Sequence, residues 1–211
     1  MRKQFLQFLA MVLLVCPIAA LAQAPKDGVY ITDEDVKAVL KHAVDTKRAI
    51  PDNTIKVVDM GKYQLGVAVV HRGAMGGAPS ANASATPTNT SPACGEQRPD
   101  AKGPTGIFHD DTAESYVVIS GSATLITGGT IVNGRRSAPD SEVTTTLNGP
   151  SCSGTMVGYT TRNIKTGDVI VIPEHVPHGF SAIPDHVTYL SIRPDLKKVL
   201  PHGYVNPALK K

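Results

Sequence analysis

Residues 107–121 read Ile-Phe-His109-Asp-Asp-Thr-Ala-Glu114-Ser-Tyr116-Val-Val-Ile-Ser-Gly121. The run from Ser115 to Ile119 is β-branched and stops at Ser120-Gly121, as a strand ended by a turn does. His109 stands before a turn through Asp110 and Asp111 and Glu114 stands after it, so one turn can aim both side chains at the same place. Tyr116 shares strand parity with Glu114 and is expected on the same face. A second stretch, residues 167–179, begins Gly167-Asp168-Val169-Ile170-Val171-Ile172-Pro173 and ends Pro177-His178-Gly179. It supplies a turn, a short buried strand, a proline stop and then a histidine in a further turn. Imidazole nitrogen and carboxylate oxygen suit Fe, Mn, Zn, Ni or Cu, and three such donors leave coordination positions for water or substrate. One divalent transition metal on His109, Glu114 and His178 is what these donors allow, while single His and Glu residues beside turns are more often solvated surface.

Outward from these stretches, β signals dominate. Ile55, Val57 and Val58, a turn at Gly61-Lys62, and then Leu65, Val67 and Val69 predict a hairpin. His71 continues the parity of Leu65, Val67 and Val69, which puts it at the barrel mouth as a candidate fourth ligand or a base beside the ligands. Thr124–Ile126, Thr130–Val132, Val143–Leu147, Thr155–Thr160, Val169–Ile172 and Val187–Ile192 are further short strands separated by Gly, Pro, Asn and Asp. Many short strands with such punctuation favour a sandwich or small barrel. One helix is predicted before them, from Asp33 to about Ala43: Thr32 is placed to cap it, Asp33, Glu34 and Asp35 suit its positive end, and Val36, Val39, Leu40 and Ala43 repeat at helical spacing. Pro194 to Leu200 reads as a terminal helical turn.

The pattern of His109, Glu114 and Gly121 resembles the second half of the first cupin motif. Gly167, Pro173 and His178 are similarly spaced to the second motif. The resemblance implies an all-β fold, a small double-stranded β-helix (jelly-roll) barrel with a short N-terminal helix, and a metal in its interior. It implies a homodimer as well. Ile107 occupies the place of the motif's first histidine, His175 that of a usual glycine and Ala182 that of a usual asparagine. The expected ligand set is thereby reduced to three, with Tyr116 and His71 lining the pocket as candidate catalytic residues.

The N-terminus sets the compartment. Arg2 and Lys3, an apolar run from Phe5 to Leu21, and Ala20-Leu21-Ala22 make a signal peptide over residues 1–22, with the mature chain starting at Gln23. Val15 before Cys16 does not fit a lipid anchor. The organisation expected is thus signal peptide, an arm and short helix over 23–53, and a barrel over 54–211. Within the barrel, about 74–104 is rich in Gly, Ala, Pro, Ser, Thr and Asn and reads as a flexible insert, with Asn82 and Asn89 in glycosylation-type triplets. Removing the signal takes Arg2 and Lys3 from a chain of net charge +3 and leaves it near neutral, which gives no reason to expect nucleic acid or a membrane surface as partner. Cys94 and Cys152 are the cysteines left, and in a periplasmic or secreted protein they are expected to pair.

No Gly-x-Ser-x-Gly elbow, phosphate loop or Cys-x-x-Cys pair is present. The reading is an exported metal-dependent enzyme, an oxidoreductase, acting on a small organic molecule in the barrel mouth. The alternatives are a non-catalytic small-ligand module and a zinc-dependent isomerase or lyase.

Overall fold

A computed structural model describes residues 24–76 and 91–210. The signal peptide, the start at Gln23 and the triplets at Asn82 and Asn89 lie outside the described residues.

Helix α1 (Asp33–Asp45) begins where the capping residues require. The Thr32 hydroxyl accepts the Asp35 N–H at 3.2 Å and the Asp35 carboxylate accepts the Thr32 N–H at 3.2 Å, so two otherwise orphaned donors are satisfied reciprocally. The helix lays Val36, Val39 and Leu40 over Ile55 and Val69.

The strands are β1 (Asp52–Asp59), β2 (Gln64–Met75), β3 (Ala93–Cys94), β4 (Thr105–His109), β5 (Glu114–Thr127), β6 (Thr130–Arg136), β7 (Ser151–Val157), β8 (Thr160–Lys165), β9 (Val169–Ile172) and β10 (His178–Asp195). All of their pairings are antiparallel, and they fall into two sheets that share two long strands. One sheet runs β1, β2, the C-terminal half of β10, the N-terminal half of β5, β9. The other runs β3, β6, β7, β4, the N-terminal part of β10, the C-terminal half of β5, β8. The crossing is made by irregularities. The β5–β10 register shifts between Ala182 and Val187, and Gly121 opposite takes φ +77°, with His186 O where a Cβ would have to sit. Both sheets close over one core that includes Val70, Tyr116, Val118, Leu125, Ile164, Ile172, Phe180, Val187 and Tyr189.

Several sequence expectations are corrected. Val143–Leu147 is a π-helical turn, because the local hydroxyls bond nearby carbonyls: Thr144 Oγ1 to Ala138 O at 2.8 Å and Thr145 Oγ1 to Ser141 O at 3.0 Å. Ser120-Gly121 bends one strand and does not end it. Residues 194–200 form no helix, and a short 3-10 turn lies instead at Pro207–Leu209. On β2 the parity is reversed: Val69 faces α1 and Val70 faces the barrel core. Cys94 is bonded to Cys152, which ties β3 to β7.

Candidate metal centre

Strand ends build the cluster. β4 finishes on His109, β5 starts with Glu114 and β10 starts with His178. His178 lies in register with Ile107, and His175 donates its backbone N–H to His109 O at 2.9 Å, so the turn before β10 is held against the end of β4. His178 Nε2 is 3.0 Å and His109 Nε2 3.4 Å from Glu114 Oε2, and the donor atoms of all three lie within 4.8 Å of one another. All three residues are buried.

Hydrogen bonds fix which ring nitrogens face inward. Ser151 Oγ donates to Gly149 O at 2.9 Å, so toward His109 Nδ1, 2.7 Å away, it is an acceptor and Nδ1 carries the proton. His178 Nδ1 is 2.9 Å from Val176 O, which can only accept. Both Nε2 atoms therefore lie on the side of Glu114. Burial draws the His109 imidazole below its ordinary value, with Glu114 opposing.

Burial alone would raise the Glu114 carboxyl, but Arg193, His109 and His178 outweigh it and hold the group well below the usual carboxylate range. Its Oε1 accepts from Ser191 Oγ at 2.7 Å, Arg193 Nε at 2.9 Å and Asn148 Nδ2 at 3.0 Å. Oε2 accepts from the Tyr116 hydroxyl at 3.0 Å. Arg193 is fully engaged, donating also to Asp52 Oδ2 at 2.5 Å and to Leu147 O at 2.8 Å. One carboxylate oxygen is thus saturated by protein donors, and the other is aimed with two imidazole lone pairs at a common point. A divalent transition ion fits this donor set of two nitrogens and a carboxylate oxygen.

Of the candidates read from sequence, His109, Glu114, His178 and Tyr116 are brought together. Burial pushes the Tyr116 phenol well above its usual value, Glu114 adding to it, so the hydroxyl stays protonated. His71 is elsewhere. Because of the reversed parity it is exposed on the outer surface, 2.8 Å from Thr188 Oγ1 and facing the His186 ring. His175 is exposed at φ +62°, a left-handed conformation that accounts for glycine being usual at that place. Arg136 reaches Asp110 at 2.5 Å and lies over the Phe108 ring, beside the end of β4.

Sequence reading missed Asn148, Ser151, Ser191, Arg193 and Asp52. For Ser191 and Arg193 a signal existed: they continue the parity of buried Val187 and Tyr189, and polar residues on the inward face of a strand need partners. Asn148 follows the π-helical turn, and no periodicity marked it.

No protein-family model matches the chain, and no curated protein matches it. Among solved structures, a protein from Bacillus halodurans matches at 11% identity over 88% of this chain and 93% of that one, with a TM-score of 0.40. An RmlC-like cupin family protein with a double-stranded β-helix fold from Methanocaldococcus jannaschii matches at 12% identity over 82% and 96%, with a TM-score of 0.35. A cupin protein from Bacteroides fragilis matches at 13% over 67% and 72%, with a TM-score of 0.31. The strand order is that of an all-β, antiparallel double sheet, with His109, Glu114 and His178 in its interior.

Proposed function

We propose that this chain is an exported metal-dependent enzyme that oxidises a small organic molecule at a single divalent transition ion held by His109, Glu114 and His178. The observation that carries the reading is the convergence of two Nε2 lone pairs and an ionised carboxylate oxygen in a buried space, with both Nδ1 protons committed elsewhere. Bound there, the ion would supply Lewis-acid or one-electron chemistry. Arg193 and Ser191 hold Glu114 so that Oε2 faces inward. The Tyr116 hydroxyl donates a hydrogen bond to that same oxygen and can turn its proton to a group developing charge beside it. Burial of the ligand side chains to 5% exposure or less excludes bulk water and favours small substrates.

Elemental analysis of protein from its native compartment should find one metal per chain, and oxygen uptake on a panel of small metabolites should identify turnover. His178→Ala should empty the site while the fold persists, and Glu114→Gln should weaken it. Equal occupancy in wild type and both variants would sink the reading. Tyr116→Phe should keep the metal and lower turnover by about 100-fold or more; unchanged turnover would remove Tyr116 from the chemistry. Export and pairing belong to the same proposal. N-terminal sequencing should find Gln23 first, and light scattering should give the mass of a dimer.

A further inference from the structure

Asn148 stands inside the donor cluster. It is 4% exposed, and its Nδ2 lies 2.8 Å from His109 Nε2 and 3.0 Å from Glu114 Oε1. Its backbone is pinned by the end of the π-helical turn. The N–H donates to Val143 O at 3.0 Å, and the C=O accepts the buried Thr112 hydroxyl at 2.7 Å. Only the side chain is left to turn.

With the amide nitrogen inward, one N–H of Asn148 donates to the Nε2 lone pair of His109. That lone pair is the one a metal must take, since Nδ1 carries the ring's proton. An inward N–H and a metal on His109 therefore exclude each other. Amide nitrogen is not a metal donor, whereas amide oxygen is a good one for the same ions that accept imidazole and carboxylate. A half-turn about the terminal torsion, which is broad and roughly two-fold, exchanges Nδ2 for Oδ1 without moving the backbone. The exchange takes the Asn148 donor from Glu114 Oε1 and sets an amide oxygen near it, while Ser191 and Arg193 remain as donors to that oxygen.

We propose that Asn148 is a fourth metal ligand, contributing its amide Oδ1 to the ion held by His109, Glu114 and His178. The inference rests on the metal-binding reading above and extends it. The histidine that the motif would place at Ile107 is replaced from a different part of the chain, the turn between β6 and β7. The set becomes two imidazoles, a carboxylate and a neutral amide, all arriving from the ends of different elements.

The test is a titration with Co(II) alone, followed by visible absorption, on the full mature chain of wild type, Asn148→Leu and Asn148→Asp. Leucine keeps the size and removes the donor; aspartate keeps an oxygen donor and removes the N–H. Wild type should take one equivalent. Asn148→Leu should bind about 10- to 100-fold more weakly, with a changed visible band as a ligand leaves. Asn148→Asp should bind as tightly as wild type or more so. A crystal structure of the Zn(II)-loaded wild type should place Oδ1 at about 2.0–2.2 Å from the ion. A Leu variant with wild-type affinity would overturn the proposal. So would a weakened Leu variant whose band is unchanged, which would make Asn148 a hydrogen-bond donor only, or a Zn(II) structure with Nδ2 still inward. If wild type takes up no Co(II), the metal reading fails and this one with it; if wild type binds and only the Asn148 predictions fail, the three-residue site stands without it.

Discussion

Arg193 sets the state of Glu114. A buried carboxylate is costly unless it is paired and hydrogen-bonded, and here the guanidinium supplies a direct bond at 2.9 Å while its other arms are held by Asp52 and Leu147 O. Arg193→Met should therefore destabilise the metal-free protein by about 3–5 kcal/mol, the cost of leaving buried charge uncompensated. Urea unfolding near neutral pH measures this, and a change below about 1 kcal/mol would show that the ion pair is not what steadies the carboxylate. Acidification acts in a fixed direction. His109 is drawn below its ordinary 6.5, so an unfolded chain binds a proton that the native one refuses, and stability of the metal-free protein should fall as pH drops below that value. Glu114, held below its ordinary 4.5, adds stability that is present above 4.5 and lost as pH falls further toward its folded value. Urea midpoints should be lower at about pH 5.5 than at about pH 7.5, and the difference should shrink in His109→Gln. At this scale the sequence made His109, Glu114 and His178 legible through motif spacing. Arg193 and Asn148 were not legible, since their importance arises only when distant segments meet.

Elements were legible where their signal was local. Thr32 and Asp35 start α1 by contacts within one turn of chain, and the described helix runs two residues beyond Ala43, to Asp45. Val143–Leu147 failed because β-branched residues favour strands, while the hydroxyls of Ser141, Thr144 and Thr145 offered the backbone a competing local fold. On β2, alternation was visible but which set faced inward was not, since Val67 and Val69 are as apolar as Ala68 and Val70. The helix covers one face of the strand and the barrel takes the other. That two-sided burial is what sent His71 to the wrong side in the sequence reading. Gly121 illustrates the opposite case, a break signal that is real but bends one strand. With φ at +77° and the His186 carbonyl in the path of any Cβ, Gly121→Ala should cost about 1–3 kcal/mol or more and lower the melting temperature. A neutral effect would mean that the bend can relax without glycine.

Across the whole molecule, the bond between Cys94 and Cys152 closes a separation of 58 residues, and on the chain-entropy account it stabilises by about 4 kcal/mol. Cys152 pairs in β7 with Phe108, the neighbour of His109. Reduction should lower the urea midpoint strongly, and a paired Cys94→Ser, Cys152→Ser variant should reproduce the loss; thiols that label without reductant would refute the bond. The barrel class was readable because short strands and turn residues recur throughout the chain. The sharing of β5 and β10 between two sheets was not, since it depends on bulges and register.

That shared register also makes the polar cluster a check on the sheet's own assembly. Tyr116 lies opposite Ser191, which sets Ser191 and Arg193 beside Glu114. Slipping β10 by one residue would turn both outward and bring Leu190 and Ile192 to the carboxylate instead. The apolar residues of the strand alternate too little to forbid that slip, because Leu190 and Ile192 would fill an interior as well as Val187 and Tyr189 do. What forbids it is an ionised carboxylate facing leucine and isoleucine, so the charge that prepares the centre for a cation also selects the one alignment of β5 on β10 in which the centre exists.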